Sequence, residues 1–185
     1  MTWIDVIDES EAEGRLKEIY EKLKEKRGKI ANIMKVHSLN PQAMKAHMDL
    51  YLTAMFTTSS LSRETCELIA VVVSKANECE YCLAHHTEAL NYYWNDREKL
   101  KKWLEDVNTP DLPKRKLQIV DYAVRLTKAP GEMTKNEVRK LKEVGLTDRE
   151  IHDVALIASY FNFVNRIAKG LGLHFSPEEL KGYNY

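Results

Sequence analysis

Apolar residues recur every three or four positions along nearly the whole chain, and no convincing stretch alternates with the period of two that a half-buried strand requires. Leu16, Ile19, Tyr20 and Leu23 share one face of a charged segment, predicting a helix capped by Ser10, running to about Arg27 and ended by Gly28. A short apolar stretch, Ile30 to Val36, leads to Asn40-Pro41. Asn40 caps there and Pro41 takes the first position of a helix expected to reach Phe56. The polar residues Thr57 to Ser60 break it. Ser62 opens a helix with Glu67, Leu68, Ala70, Val71 and Ser74 that fades near Asn77, and another carries Cys82 through Trp94. A short helix from Asp96 to Leu104, a loop from Val107 to Pro113, and a helix from Pro113 to Lys128 follow. Ala129-Pro130-Gly131 is a turn. Thr134 caps a helix ending at Gly145, and Thr147 caps a long one to about Lys169. Val71-Val72-Val73 is β-prone but sits inside a helical pattern, so the predicted fold class is all-α.

Leu61 to Ser74 can be laid on Leu146 to Ser159 without a gap, pairing Leu61 with Leu146, Ala70 with Ala155 and Ser74 with Ser159. The same offset sets Val164 against Cys79, Ile167 against Cys82 and His152 against Glu67. This predicts a duplicated helical unit, with halves related by a pseudo-twofold and thiols only in the first. The expected organisation is one helical domain over 1–185: an N-terminal extension (1–29), a thiol-bearing half (30–105) and a second half (113–175).

Length and charge narrow the function. A chain of 185 residues buries enough surface to fold without disulfides. Its 28 Lys+Arg balance 28 Asp+Glu, which argues against a general nucleic-acid binder or a polybasic membrane anchor. The start, Met1-Thr2-Trp3-Ile4-Asp5, carries no signal-peptide pattern, and the longest strongly apolar run, Leu68 to Val73, is far short of a bilayer span. A cytoplasmic protein is expected. Cysteines in that compartment are more often catalytic, redox-active or metal-binding than structural. The chain has three: Cys66, Cys79 and Cys82.

The densest reactive cluster is Asn77-Glu78-Cys79-Glu80-Tyr81-Cys82-Leu83-Ala84-His85-His86. Cys79, Cys82 and His86 stand at i, i+3 and i+7, so a helix places them on one stripe. With Asn77 or Glu78 as cap, Cys79 falls in the first turn, where the helix dipole favours a thiolate. The imidazole supplies a base, and two thiols one turn apart can close a disulfide. A C-x-x-C alone also occurs in zinc sites and in packed cores, so redox chemistry, a metal site and plain packing all stay open. His85 faces away from His86, as a second polar partner or a solvated residue. Cys66 reads as a small buried hydrophobe. Glu67, between Cys66 and Leu68, is costly to bury unless paired; it either meets His86 or turns to solvent or a subunit interface. Tyr92, Tyr93 and Trp94 suit core or interface more than a substrate wall. Asn162, Asn165 and Arg166 suit helix ends or neighbouring subunits more than ligand binding.

Glu67, eleven residues, Cys79-x-x-Cys82, three residues and His86 together resemble the E-x11-C-x-x-C-x3-H signature of the AhpD-like superfamily, the alkylhydroperoxidase D and carboxymuconolactone decarboxylase group. His37-Ser38-x-Asn40-Pro41 and Tyr160 to Ala168 are similar to its peroxidase-related subgroup, and the resemblance covers roughly residues 30 to 175. It implies an all-helical bundle, assembly as trimers or hexamers, and reduction of hydroperoxides without haem, flavin or metal. Carried over, Cys82 is the peroxidatic thiol, Cys79 the resolving thiol, His86 the base, and Glu67 the group that orients His86. Tyr81 stands where alkylhydroperoxidase D has a His, and a phenol is a poor base near neutral pH. Tyr81 and His85 are therefore supporting residues. The expected activity is a thiol peroxidase acting on small hydroperoxides and recycled by an external dithiol. The alternatives are a lactone decarboxylase-like lyase and a non-catalytic redox switch or zinc-binding oligomer.

Overall fold

The computed structural model describes residues 2–56, 60–107 and 112–180. Among them the regular structure is helical throughout: α1 (Gly14–Arg27), α2 (Asn32–Lys35), α3 (Pro41–Phe56), α4 (Arg63–Ala76), α5 (Glu80–Trp94), α6 (Arg97–Glu105), α7 (Lys114–Lys128), α8 (Lys135–Glu143) and α9 (Asp148–Gly170), with a single 3₁₀ turn at Pro130–Glu132. Most of the expected polar break after α3, at 57–59, and the centre of the expected loop before α7, at 108–111, lie outside the described residues.

Local chemistry starts most helices where expected. Asn40 Oδ1 accepts from Ala43 N at 3.1 Å, and Ser62 Oγ accepts from Thr65 N at 3.2 Å. Thr134 and Thr147 each form a reciprocal box with the glutamate three residues on, Glu137 and Glu150. Two starts differ from expectation. Ser10 does not cap α1, because Glu11 N bonds back to Asp8 O and closes a turn there. The chain stays extended at Glu13, and Gly14 (φ +50°) then opens the helix. α5 begins at Glu80, one or two residues later than a cap at Glu78 or Asn77 implies, with Cys79 itself in the cap position. Asn77 ends α4 instead of capping α5, and Glu78 (φ +53°) makes the tight corner between them.

α4 is the axis of the molecule. Residues from Thr65 through Ser74 are all buried, an all-round apolar helix that can exist only inside other helices. It packs against α5, α7 and α9. This core continues through Leu90, Ile119, Val120, Ile157 and Phe161. A second cluster joins α1, α2 and α3 through Leu16, Ile19, Tyr20, Leu23, Met34 and Met44, with Ile33 packed against both clusters. The N-terminal segment is thus fastened over the thiol-bearing helices. Trp3 closes the wrap: its backbone N–H donates to Leu171 O, and its indole occupies the space a Cβ would need at Gly172 (φ +64°). None of the described helices is long and apolar enough to cross a membrane.

Candidate active site

The central helix delivers Glu67 to a fully dry position, where a guanidinium and an imidazole converge on it. Arg63, one turn earlier on α4, donates from Nη2 to Oε1 at 2.5 Å, and His86 of α5 meets Oε2 through Nδ1 at 2.7 Å. A carboxylate can only accept, so Nδ1 carries the hydrogen, and it is the neutral form of the ring that has a lone pair at Nε2. Full burial pushes the Glu67 carboxyl up, but His86 first and Arg63 second outweigh it, and the group is held below the usual carboxylate range. Arg63 is itself fixed by Met55 O at 3.0 Å and by the Phe56 ring, 3.7 Å from its centroid. The Phe161 ring stands edge-on to His86 with centroids 4.5 Å apart, which fixes the imidazole plane.

Cys79 and Cys82 are both buried, and neither is in a disulfide. They interact strongly. The Cys82 thiol draws the Cys79 pKa down, against burial and with help from the Cys82 backbone N–H and Lys169, to about 7. Cys82 is pushed up by the Cys79 sulfur and by burial, with only the Asn165 amide opposing. The pair therefore loses its first proton at Cys79 and shares the remaining one. Asn165 is fully buried, accepts from Asn77 Nδ2 at 2.9 Å and donates to Ser74 Oγ at 3.2 Å, so its orientation is fixed. Because Cys79 ionises near 7, alkylation of the reduced protein by iodoacetamide is expected to accelerate as pH rises through that value. A single inflection above about pH 8.5, the ordinary thiol range, would contradict the assignment.

A cavity of about 100 Å³ opens beside these groups. Glu67, Arg63, Cys82 and His86 form its polar side; Cys82, not Cys79, lines it. Apart from Lys29, most of the rest is apolar or aromatic: Leu23, Ile30, Ile33 and Met34 from the N-terminal segment, Met48 and Tyr51 from α3, and Tyr160, Phe161 and Val164 from α9. From the segment read as an extension (1–29), Leu23 and Lys29 reach the cavity; Ile30, Ile33 and Met34 belong to the half read as thiol-bearing.

The structure brings Glu67, Cys82 and His86 to one cavity and sets Cys79 behind Cys82. Tyr81 and His85 also line it, but both are engaged at its edge. Tyr81 donates to Glu179 Oε1 at 2.6 Å and accepts from Ile33 N at 3.1 Å. His85 donates from Nδ1 to Tyr81 O at 2.7 Å, and its Nε2 lies 3.6 Å from Glu179. His85 is therefore a polar partner rather than a solvated residue, and Tyr81 ties α5 to the C-terminal segment. Cys66 is buried beneath the site with its thiol pushed up to about 12 by desolvation, as suits a small hydrophobe. Tyr92, Tyr93 and Trp94 do not line the cavity; Trp94 packs on Trp103 and donates to Glu64 at 2.7 Å. Asn162 bonds Asn77 and Thr127 across helices. Sequence reasoning gave no site role to Arg63 or Tyr160. The i, i+4 spacing of Arg63 and Glu67 was a usable signal; the spacing around Tyr160 offered none. Among the described residues, no three His, Cys, Asp or Glu side chains gather in a way that would hold a metal ion.

An all-helical bundle with a dithiol and a carboxylate-backed imidazole at one apolar cavity defines a narrow class of protein. Residues 41–101 match the carboxymuconolactone decarboxylase family. The crystal structure of an uncharacterised peroxidase-related protein from Silicibacter sp. TM1040 is 28% identical, with a TM-score of 0.85 over 97% of this chain and 94% of that one. An uncharacterised peroxidase-related protein from Ralstonia eutropha JMP134, described as an alkylhydroperoxidase AhpD core, shares the fold at 23% identity and a TM-score of 0.86, covering 97% of this chain and 94% of that one. The uncharacterised protein YdfG of Bacillus subtilis (strain 168) is 26% identical over 140 residues, 74% of this chain and 91% of its own. The family match is thus confined to residues 41–101, and over nearly its whole length the chain is similar in fold to these peroxidase-related proteins.

Proposed function

We propose that this protein is a thiol-dependent peroxidase that reduces small organic hydroperoxides and is recycled by an external dithiol. The observation that carries this reading is the placement of Cys82 and the Glu67-backed His86 on one apolar cavity. His86 Nε2 holds a lone pair for the Cys82 proton, and Glu67 stabilises the imidazolium that results. The Cys82 thiolate attacks the terminal peroxide oxygen, forming an S–O bond and a sulfenic acid as the O–O bond breaks. Cys79, already the more acidic thiol, displaces hydroxide from that sulfur and closes the disulfide. An external dithiol returns both sulfurs to thiols. No step calls for a haem, flavin or metal. The aliphatic and aromatic walls favour a hydroperoxide with an apolar substituent.

The test is stoichiometric. One equivalent of tert-butyl hydroperoxide added to reduced protein should remove two of the three titratable thiols, leave Cys66, and yield one equivalent of alcohol. Excess dithiothreitol should then support repeated turnover. Peroxide loss with all three thiols intact, or no peroxide loss at all, would overturn the proposal.

A further inference from the structure

A line of polar rings runs from the far side of this cavity to the protein surface. Tyr160 lines the cavity with Cys82, and its hydroxyl lies 2.8 Å from His47 Nε2. His47 Nδ1 lies 3.0 Å from His37 Nε2, and His37 is half-buried, at the molecular boundary. The middle of this line is dry: His47 is buried, and burial together with His37 draws its pKa down to about 3, so it is neutral at working pH. A neutral imidazole has one donor and one acceptor nitrogen, so the hydrogen bonds on its two sides must run in the same sense. With His37 Nε2–H donating to His47 Nδ1, and His47 Nε2–H donating to the Tyr160 oxygen, the phenol hydrogen is left to point into the cavity. Burial, then Tyr51 and Cys82, raise the Tyr160 pKa, so the phenol stays protonated and serves as a donor.

From this geometry we infer that Tyr160, His47 and His37 form a proton-delivery line, in which Tyr160 protonates the alkoxide expelled when the peroxide bond breaks. The inference rests on the peroxidase reading above and deepens it. A proton count supplies the need. The cycle expels one alkoxide and one hydroxide, and each must gain a proton. A dithiol that has already lost one proton at Cys79 can supply only the other. The second must come from solvent. In the oxidation step the thiolate electron pair forms the S–O bond, the O–O pair leaves on the alkoxide, and the Tyr160 proton completes the alcohol. The phenolate is then refilled from His47 Nε2, His47 Nδ1 from His37 Nε2, and His37 from water. Tyr160 faces the reacting atoms and acts as a catalytic acid; His47 and His37 act through it. The Glu67–His86 pair faces the same cavity and removes the thiol proton, so the two lines do different work.

Leaving-group basicity distinguishes this role from a packing role. tert-Butyl hydroperoxide expels a strongly basic alkoxide, whereas peracetic acid expels a carboxylate that needs no proton. Single-turnover thiol oxidation of the full-length reduced protein would be followed by rapid quench and thiol titration. Tyr160→Phe should slow the reaction with tert-butyl hydroperoxide by about 10²-fold, and leave peracetic acid within about twofold of the original protein. His47→Gln, which keeps the phenol but cuts its supply, should slow the same substrate selectively. Equal losses with both oxidants in Tyr160→Phe, or no loss with either, would overturn the inference while leaving the peroxidase reading intact. Failure of the unsubstituted protein to oxidise its thiols with either oxidant would remove the peroxidase reading, and the inference with it.

Discussion

Cys82→Ser is expected to abolish hydroperoxide reduction, with kcat/KM falling on the order of 10⁴-fold or more, the scale of losing a nucleophile that acts with its base as a unit. Cys79→Ser should behave differently, consuming about one equivalent of peroxide and then stopping for lack of a second sulfur to close the disulfide. The expectation follows from access, and acidity alone would have argued the reverse. Cys79 ionises first, but Cys82 is the thiol on the cavity wall, where a peroxide can approach in line with sulfur. Loss of the Cys79 sulfur also removes the main cause of the raised Cys82 pKa, so a lone Cys82 should remain reactive toward one equivalent. Mass spectrometry after dimedone trapping decides the matter. A single adduct on Cys82 in Cys79→Ser, with none on Cys79 in Cys82→Ser, is the expected result; the opposite pattern would make Cys79 the attacking thiol.

Much of this was legible in the chain because helices write their geometry at fixed spacing. The i, i+4 spacing placed Cys82 and His86 on one side of α5, with Cys79 just ahead of it at the cap, and a carboxylate stranded in the apolar run of α4 needed a partner, which His86 supplies. What escaped was set by contacts distant in sequence. Ser10 looks like a cap, but the turn at Asp8–Glu11 and the bond from Ile7 N to Ser38 Oγ hold the chain off the helix until Gly14. One residue of cap placement moved Cys79 from the first turn to the cap position, which altered its surroundings but kept it at the positive helix end. Tyr160 and His47 meet across 113 positions, and no local period announces such a pair. Glu179 likewise reaches Tyr81 across 98 positions, so the anchoring of the C-terminal segment beside the thiols could not be anticipated from the C-x-x-C itself.

Glu67 offers the clearest separation of stability from chemistry. Glu67→Leu should destabilise the fold by roughly 3–5 kcal/mol, because it strands a largely sheltered Arg63 whose remaining partners cannot balance its charge. Pairing it with Arg63→Met removes the stranded cation, and buried ion pairs exchanged for apolar groups of similar volume are often neutral in stability, so most of that loss should return. Activity should not return with it. Without the carboxylate, His86 loses the group that fixes its Nδ1 hydrogen and stabilises its charged form, and the Cys82 proton loses its acceptor. A drop of about 10²-fold in kcat/KM is expected in both the single and the double variant. Acid dependence carries the same signature. Glu67 is held below the usual carboxylate range, so its contribution to stability is fully present above the unfolded value of about 4.5 and is lost only as pH falls through the lower folded value. Chemical denaturation at about pH 7 and about pH 3 should therefore show a smaller gap between the original protein and Glu67→Leu in acid. A double variant that recovers both stability and turnover would show that Glu67 serves Arg63 alone, and that His86 works without it.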